Sequence, residues 1–152
     1  MNNASLFSKN DQQWEALFAT NVKAPYQLSM QAAPHLAKTQ GCIVNITDLH
    51  AEYPMKKYAV YCQTKAALWM QTQALARELA PHVRVNAVAP GAIVWPEGDN
   101  LLSTTLQKKI IEKTLLKRHG DPKYIAQTVM FCINNLFMTG QQICVDGGRL
   151  FK

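Results

Sequence analysis

A tyrosine and a lysine four positions apart, preceded by an aspartate, are the residues of this chain best suited to catalysis. Tyr61 and Lys65 occur in the run YCQTK, and Asp48 lies thirteen positions before the tyrosine. Residues at i and i+4 lie on one face of a helix. The ammonium of Lys65 could there stabilise a phenolate, so we expect it to lower the pKa of Tyr61 and favour proton transfer near neutral pH. A solvated pair without a function is the alternative interpretation.

Alternating strand and helix patterns surround these residues and would position them. The strand pattern CIVNI leads into Asp48, a helix pattern over 58–79 carries Tyr61 and Lys65, and RVNAVA leads into Pro90. Such alternation predicts an α/β fold with a buried parallel sheet and right-handed crossovers. Ligands of these sheets bind beyond the carboxyl ends of the strands, which is where Asp48 and Pro90 are expected.

Further segments complete the predicted architecture. Residues 101–118 are expected to form a lysine-rich amphipathic helix, 121–134 a helix with proline at its start, and 142–145 a last strand. A helix before CIVNI is expected to turn a set of apolar residues towards the core: Trp14, Leu17, Phe18, Val22, Tyr26, Leu28 and Leu36. No internal boundary is visible, so residues 1–152 are expected to form a single domain.

Taken together, these motifs resemble the short-chain dehydrogenase/reductase family. The runs MNNAS, GCIVNITD, YCQTK, RVNAVAPGAIVWPE and CVDGG carry the resemblance from the first residue to the last. It implies the carboxyl-terminal part of a Rossmann-type fold with a doubly wound parallel sheet. The family's first strands and the glycine-rich turn that holds the cofactor pyrophosphate have no counterpart in the chain. We therefore expect a partial domain, either truncated or read from a wrong start.

Asp48 narrows the resemblance to the family's pteridine reductases. Most short-chain reductases place a serine at this position, whose hydroxyl can donate to a substrate carbonyl. An ionised aspartate has no donor, so it suits a substrate that presents N–H groups or a ring nitrogen awaiting a proton. The pteridine reductases have aspartate here, and the stretches TDLHAEYP and WPEG resemble their bacterial members. The alternative is that Asp48 only caps the turn after the strand.

The resemblance implies that Asn21 is catalytic, and a nearby proline suggests how. Pro25 has no N–H, so within a helix it leaves the carbonyl of Asn21 without its usual partner and bends the helix. That carbonyl could hold a water that links Lys65 to solvent and returns protons to Tyr61. A simple proline kink with no role is the alternative.

Other site residues follow from the same resemblance. Phe7 would stack on a pterin, although a core aromatic residue is an equal interpretation. Asp48 and Tyr61 complete the implied substrate contacts. The implied NADPH contacts are Asn3, Ser5, Tyr61, Lys65, Pro90, Gly91 and Ile93.

The implied activity is NADPH-dependent reduction of a dihydropterin or dihydrofolate, in a homo-oligomer that is tetrameric in the family. Two alternatives are open: a general carbonyl or oxoacyl reductase, and a non-catalytic remnant that binds no cofactor. The resemblance leaves the choice between NADP and NAD unassigned, because the residues that make it precede this chain in the family.

Composition restricts the other classes of function. The formal net charge is +6, but the basic residues are spread along the chain, so we expect no nucleic-acid partner. No apolar run predicts a membrane span or a signal peptide, and the four cysteines lack C-x-x-C spacing, which favours reduced core thiols in the cytoplasm. His35, His82 and His119 are isolated, so no metal is expected.

Overall fold

The computed structural model describes residues 11–95 and 101–151. The helices are α1 (Asp11–Phe18), α2 (Ala24–Ala37), α3 (Ala59–Glu78), α4 (Thr104–Glu112) and α5 (Pro122–Asn134), with a π-helical turn at Ala19–Lys23 and 3-10 turns at Leu49–Ala51 and Arg149–Phe151. The strands are β1 (Cys42–Ile46), β2 (Arg84–Pro90) and β3 (Gln142–Val145). The strand at 142–145 and the helix that ends at 134 lie where the sequence predicts them.

The three strands form a parallel sheet in the order β1-β2-β3. The central strand β2 forms the core of the sheet, since five of its residues have no exposed surface: Val85, Asn86, Ala87, Val88 and Ala89. Register pairs Ile46 with Val88 and Pro90 with Val145, so the carboxyl ends of all three strands meet at one edge. The predicted α/β fold with a parallel sheet is confirmed.

The strand β1 is less buried than the CIVNI pattern predicts. Only Asn45 is buried, and Ile46 is exposed. The reason is positional, because β1 pairs with β2 on one side and stands at the margin of the described sheet. Asn45 is held by a hydrogen bond from its Nδ2 to Thr72 Oγ1 on α3, at 2.9 Å.

Helices α3 and α5 lie on opposite faces of the sheet. Val85 packs with Leu75 of α3, whereas Arg84 and Asn86 donate hydrogen bonds to carbonyls at and just beyond the end of α5. Successive strand residues point to opposite faces, and both crossovers step across the sheet in the same direction. They therefore have opposite hands. The prediction that every crossover is right-handed is therefore wrong. The connection between β2 and β3 places α5 on the face of the sheet opposite α3, so its hand differs from that of the connection between β1 and β2.

Arg84 completes the carboxyl end of α5. Its guanidinium donates to the carbonyl oxygens of Cys132 at 2.8 Å, Ile133 at 2.8 Å and Asn135 at 2.9 Å. The last carbonyls of an α-helix have no partner within the helix. One side chain from β2 thus satisfies several of them and ties the helix to the sheet.

The helical segment before β1 differs from the single core-facing helix that the apolar pattern predicts. A π-helical turn separates α1 from α2, and the N–H of Ala24 donates to the carbonyl of Ala19. Leu17 is buried, but Trp14, Tyr26 and Leu28 are exposed, the last at 67%. The π turn changes the helical period, so apolar residues on its two sides do not share one face.

The helix α4 is shorter than the predicted helix over 101–118. Ser103 caps its start by accepting from the N–H of Leu106 at 3.3 Å. After Glu112 the chain turns, and the N–H of Leu116 donates to the carbonyl of Gly147 at 3.1 Å. This tertiary contact after β3 replaces the continuation of the helix.

All four cysteines are free thiols. Cys62 and Cys132 are buried as expected, whereas Cys42 is half-buried and Cys144 is exposed. Core placement is therefore wrong for Cys144, which lies on β3 at the outer edge of the described sheet. In residues 11–95 and 101–151, no helix combines the length and apolarity needed to cross a bilayer.

Candidate active site

Asp48 and Tyr61 form a direct hydrogen bond. Asp48 lies just beyond β1, and its Oδ2 accepts from Tyr61 Oη on α3 at 2.6 Å. Its Oδ1 accepts from the backbone N–H of His50 at 2.8 Å and so caps the 3-10 turn. The capping contact expected of the alternative interpretation is therefore present, and the second carboxylate oxygen contacts the tyrosine.

Lys65 lies beside Tyr61 but does not bind its hydroxyl. Its Nζ donates to the carbonyl of Ile46 at 3.0 Å and sits 5.9 Å from the centre of the Tyr61 ring. Both side chains are buried, with 9% of Tyr61 and 8% of Lys65 exposed. The ammonium thus contacts the carboxyl end of β1 and lies over the face of the Tyr61 ring.

The expected effect of Lys65 on Tyr61 is not observed. Burial, followed by the neighbouring Asp48 carboxylate and the hydrogen bond to it, raises the pKa of Tyr61 above its ordinary value. Burial also lowers the pKa of Lys65, an effect that Asp48 partly opposes. The prediction of a lowered tyrosine pKa is wrong for this arrangement, because an anion rather than the ammonium contacts the phenol oxygen.

Asn21 is held against α3 through Thr64. The Nδ2 of Asn21 donates to Thr64 Oγ1 at 3.0 Å, and that hydroxyl donates to the carbonyl of Tyr61 at 2.7 Å. Asn21 lies within the π-helical turn just before Pro25. The interruption that Pro25 predicts is therefore present as a π turn, and it brings Asn21 to the helix that carries Tyr61 and Lys65.

The segment after β2 lies at the same edge of the sheet. The N–H of Gly91 donates to the carbonyl of Val145 at 3.0 Å, and a Cβ at Gly91 would lie 2.6 Å from Asp146 Cα. Only glycine allows the two backbones to come so close. Ile93 packs against Gly120 and lines a cavity of about 500 Å³ on the α5 face of the sheet.

The chain matches known proteins over nearly its whole length. A family model described as enoyl-(acyl carrier protein) reductase matches residues 2–149. A 3-oxoacyl-[acyl-carrier-protein] reductase from Staphylococcus epidermidis is 35% identical over 158 aligned positions, which cover 97% of this chain and 64% of that protein. The chain belongs to the short-chain dehydrogenase/reductase family.

Other short-chain dehydrogenases and reductases are also similar to this chain. A dihydromonapterin reductase from Klebsiella pneumoniae is 35% identical over 133 residues, covering 85% of this chain and 54% of that protein. A solved 4-hydroxyisoleucine dehydrogenase complexed with NADH superposes with a TM-score of 0.85 at 26% identity, covering 99% of this chain and 65% of that one. The chain thus spans between half and two thirds of the length of these proteins.

The described residues fit the nicotinamide half of a cofactor of short-chain dehydrogenases and reductases. Lys65 has three N–H donors and contacts one acceptor, Ile46 O, among the described residues, so two donors remain for hydroxyl groups such as those of a ribose. Pro90 has no N–H and Gly91 uses its own on Val145, so backbone donation from this segment would begin beyond Gly91, at Ala92 or Ile93.

Three of the expected site residues of this short-chain dehydrogenase/reductase lie outside the described residues: Asn3, Ser5 and Phe7. In the described part of the chain, no group of three His, Cys, Asp or Glu side chains could hold a metal ion. Thr64 is the site residue that the sequence patterns did not single out. In the sequence, its place just before Lys65 is the signal that could have found it. Its contact with Asn21 is seen in the structure.

Proposed function

We propose that this chain carries the catalytic part of an NADPH-dependent reductase of dihydropterins or dihydrofolates. The observation that carries the proposal is the 2.6 Å hydrogen bond between Asp48 and Tyr61. It pairs a hydrogen-bond acceptor with a proton donor at the carboxyl edge of the sheet. The similarity to a dihydromonapterin reductase supports the same class of substrate.

Asp48 would orient the pterin. Its Oδ1 is committed to the backbone N–H of His50, so Oδ2 is the oxygen available to a substrate. A carboxylate accepts hydrogen bonds, and the amino group and ring N–H of a pterin would supply them. Tyr61 Oη, which holds Oδ2 in the described geometry, would then turn its proton towards the substrate.

Tyr61 would donate the proton that accompanies reduction. Its raised pKa keeps the phenol protonated at neutral pH but makes it a weaker acid, so proton transfer would follow release of its hydrogen bond to Asp48. NADPH, when bound, would supply the hydride to a C=N carbon. Lys65 would bind the nicotinamide ribose, and Asn21 would hold a water from which the proton of Tyr61 is replaced.

A second candidate is a reductase of carbonyl or oxoacyl groups. The 3-oxoacyl-[acyl-carrier-protein] reductase that covers 97% of the chain favours it. A ketone oxygen needs donors, however, and Asp48 offers none. Tyr61 alone would have to serve that oxygen, so this candidate uses less of the observed site.

Oxidation of NADPH by the purified full-length protein would separate these candidates. Dihydrobiopterin and a 3-oxoacyl thioester would be compared as substrates, with NADH in parallel and Tyr61→Phe as the inactive control. We expect faster turnover of the pterin. Faster turnover of the thioester would establish the second candidate, and no turnover or binding of NADPH would establish a non-catalytic remnant.

We also propose that the chain forms a homo-oligomer. Apolar side chains on α2 and beyond α5 are exposed, including Leu28 at 67% and Phe137 at 103%. Large exposed apolar residues of this kind mark surfaces that pack against another protein. Light scattering on the purified chain would test this, and a monomer at micromolar concentration would contradict it.

A further inference from the structure

The π-helical turn that carries Asn21 is bridged by one side chain from α3. In the orientation that satisfies its surroundings, the Gln71 amide donates from its nitrogen to the carbonyl of Val22 at 3.1 Å. Its oxygen accepts from the N–H of Tyr26 at 3.0 Å. The assignment of amide oxygen and nitrogen follows from these two partners.

The two groups that Gln71 binds are the pair that an α-helix would join to each other. In a regular helix the N–H of Tyr26 would donate to the carbonyl of Val22, four residues earlier. The Gln71 amide takes the place of each partner, donating to the carbonyl of Val22 and accepting from the N–H of Tyr26. Its side chain is therefore inserted into the hydrogen-bond ladder of the helix. Such an inserted side chain stabilises a local interruption of a helix.

Gln71 acts on the same segment as Thr64. The two residues are seven positions apart on α3, so they lie on one side of it, about two turns apart. Thr64 holds the Asn21 side chain within the π turn, and Gln71 holds the backbone just after it. The turn is thus fixed to α3 at two points.

We infer that Gln71 is a positioning residue that keeps the π-helical turn in register with α3 and so places Asn21 in the active site. Pro25 removes one donor from the ladder, but it does not prevent the N–H of Tyr26 from donating to the carbonyl of Val22. With that hydrogen bond the segment would be an α-helix with an ordinary proline kink. Without Gln71 the turn could take that form. A shift of one residue rotates a helical side chain by about 100°, which would carry Asn21 away from Thr64.

The removal test is Gln71→Leu, with Gln73→Leu on the same helix as the matched control. The first readout is the resonance of the Asn21 side-chain amide in a ¹H–¹⁵N spectrum of the full chain, which requires no turnover. Gln71→Leu should shift it to the position of a solvated amide, and Gln73→Leu should leave it unchanged. An unshifted resonance in Gln71→Leu would overturn the inference.

The second readout is turnover, and it rests on the proposed function. Because small displacements of a catalytic group are costly, kcat should fall roughly 10- to 100-fold in Gln71→Leu with little change in KM for NADPH. If the Asn21 resonance shifts in Gln71→Leu but kcat does not change, Gln71 positions Asn21 without affecting catalysis. If the wild-type chain reduces no pterin, the proposed function fails, while the Asn21 resonance still decides the inference.

A rescue variant separates hydrogen bonding from packing. In Gln71→Glu the ionised carboxylate accepts from Tyr26 but cannot donate to Val22 O, whereas the protonated acid can do both. The kcat of this variant relative to wild type should therefore rise as the pH is lowered from about 8 to about 5, towards the ordinary range of a glutamate pKa. A ratio that does not change with pH would contradict the proposed hydrogen-bonding role.

Discussion

Asp48 is bound through both oxygens, by Tyr61 Oη at 2.6 Å and by the N–H of His50 at 2.8 Å. The backbone contact fixes the carboxylate relative to β1 and the 3-10 turn. The contact with Tyr61 is made by a side chain, so it can be exchanged for one to a ligand. Asp48 is therefore an acceptor held in place by the backbone, and the hydrogen bond from Tyr61 is the contact that a ligand could replace.

Replacing Asp48 by serine should change the substrate preference. A serine can donate to a carbonyl but cannot hold the N–H groups of a pterin as a carboxylate does. We expect kcat/KM for dihydrobiopterin to fall by a factor of ~10²–10⁴, the range for loss of a group on which proton transfer depends, while reduction of a simple ketone is spared. Asp121→Ser, a change at the cap of α5, is the control. Equal losses on both substrates would show that Asp48 does not select pterins.

Replacing Asp48 by asparagine should make Tyr61 a stronger acid. Burial, the Asp48 carboxylate and the hydrogen bond to it all raise the pKa of Tyr61, and the neutral amide removes the charge. The folded-state pKa lies above the unfolded value, so Asp48→Asn should move the phenolate transition to lower pH, while burial keeps part of the shift. Ultraviolet titration of Asp48→Asn, with the double variant Asp48→Asn, Tyr61→Phe subtracted, measures this. A transition that stays in place or moves to higher pH would contradict it.

Replacing Thr64 by valine should lower both stability and turnover. Thr64 has no exposed surface, and its hydroxyl serves Asn21 Nδ2 and the carbonyl of Tyr61. Loss of a buried partner should lower the free energy of unfolding by about 1–3 kcal/mol. Thr64→Ser keeps the hydroxyl and should retain most of the kcat that Thr64→Val loses. Urea unfolding and steady-state kinetics of the pair test this, and equal kcat values would exclude a role for the hydroxyl.

Replacing Arg84 by methionine should weaken the attachment of α5. The change keeps an unbranched apolar stem but leaves the carbonyls of Cys132, Ile133 and Asn135 without their donor. We expect a loss of about 2 kcal/mol in the free energy of unfolding. Arg77→Met on the exposed side of α3 is the matched control. If the two variants unfold at the same urea concentration, the end of α5 does not depend on Arg84.

The fold was largely accessible from the sequence because its signals are local. Proline after Asp121 marks the start of α5, and a β-branched run marks the strand β1 (Cys42–Ile46). The convergence of Asp48, Tyr61 and Lys65 followed from the rule that strand ends meet at one edge. Each of these inferences needed only the pattern of neighbouring residues in the sequence and the general geometry of parallel sheets.

What the sequence could not supply are contacts between distant segments. The spacing of Tyr61 and Lys65 places them on one face, but the position of Ile46 O decides where the ammonium points. Pro25 indicates an interruption, yet the π turn depends on Gln71, far along the chain. Likewise, the contact of Leu116 with the segment after β3 ends a helix that its own sequence would continue.

The opposite hands of the two crossovers have a consequence for how the chain folds. The strand β2 becomes enclosed only after α3 and α5 have arrived on its two sides, and its ladders join distant residues such as Cys42 with Arg84 and Ala87 with Gln142. Pairings so far apart in sequence form late and slow the folding of a domain. Because β2 is buried between these two helices, we expect its amide protons to be among the slowest of the molecule to exchange with solvent.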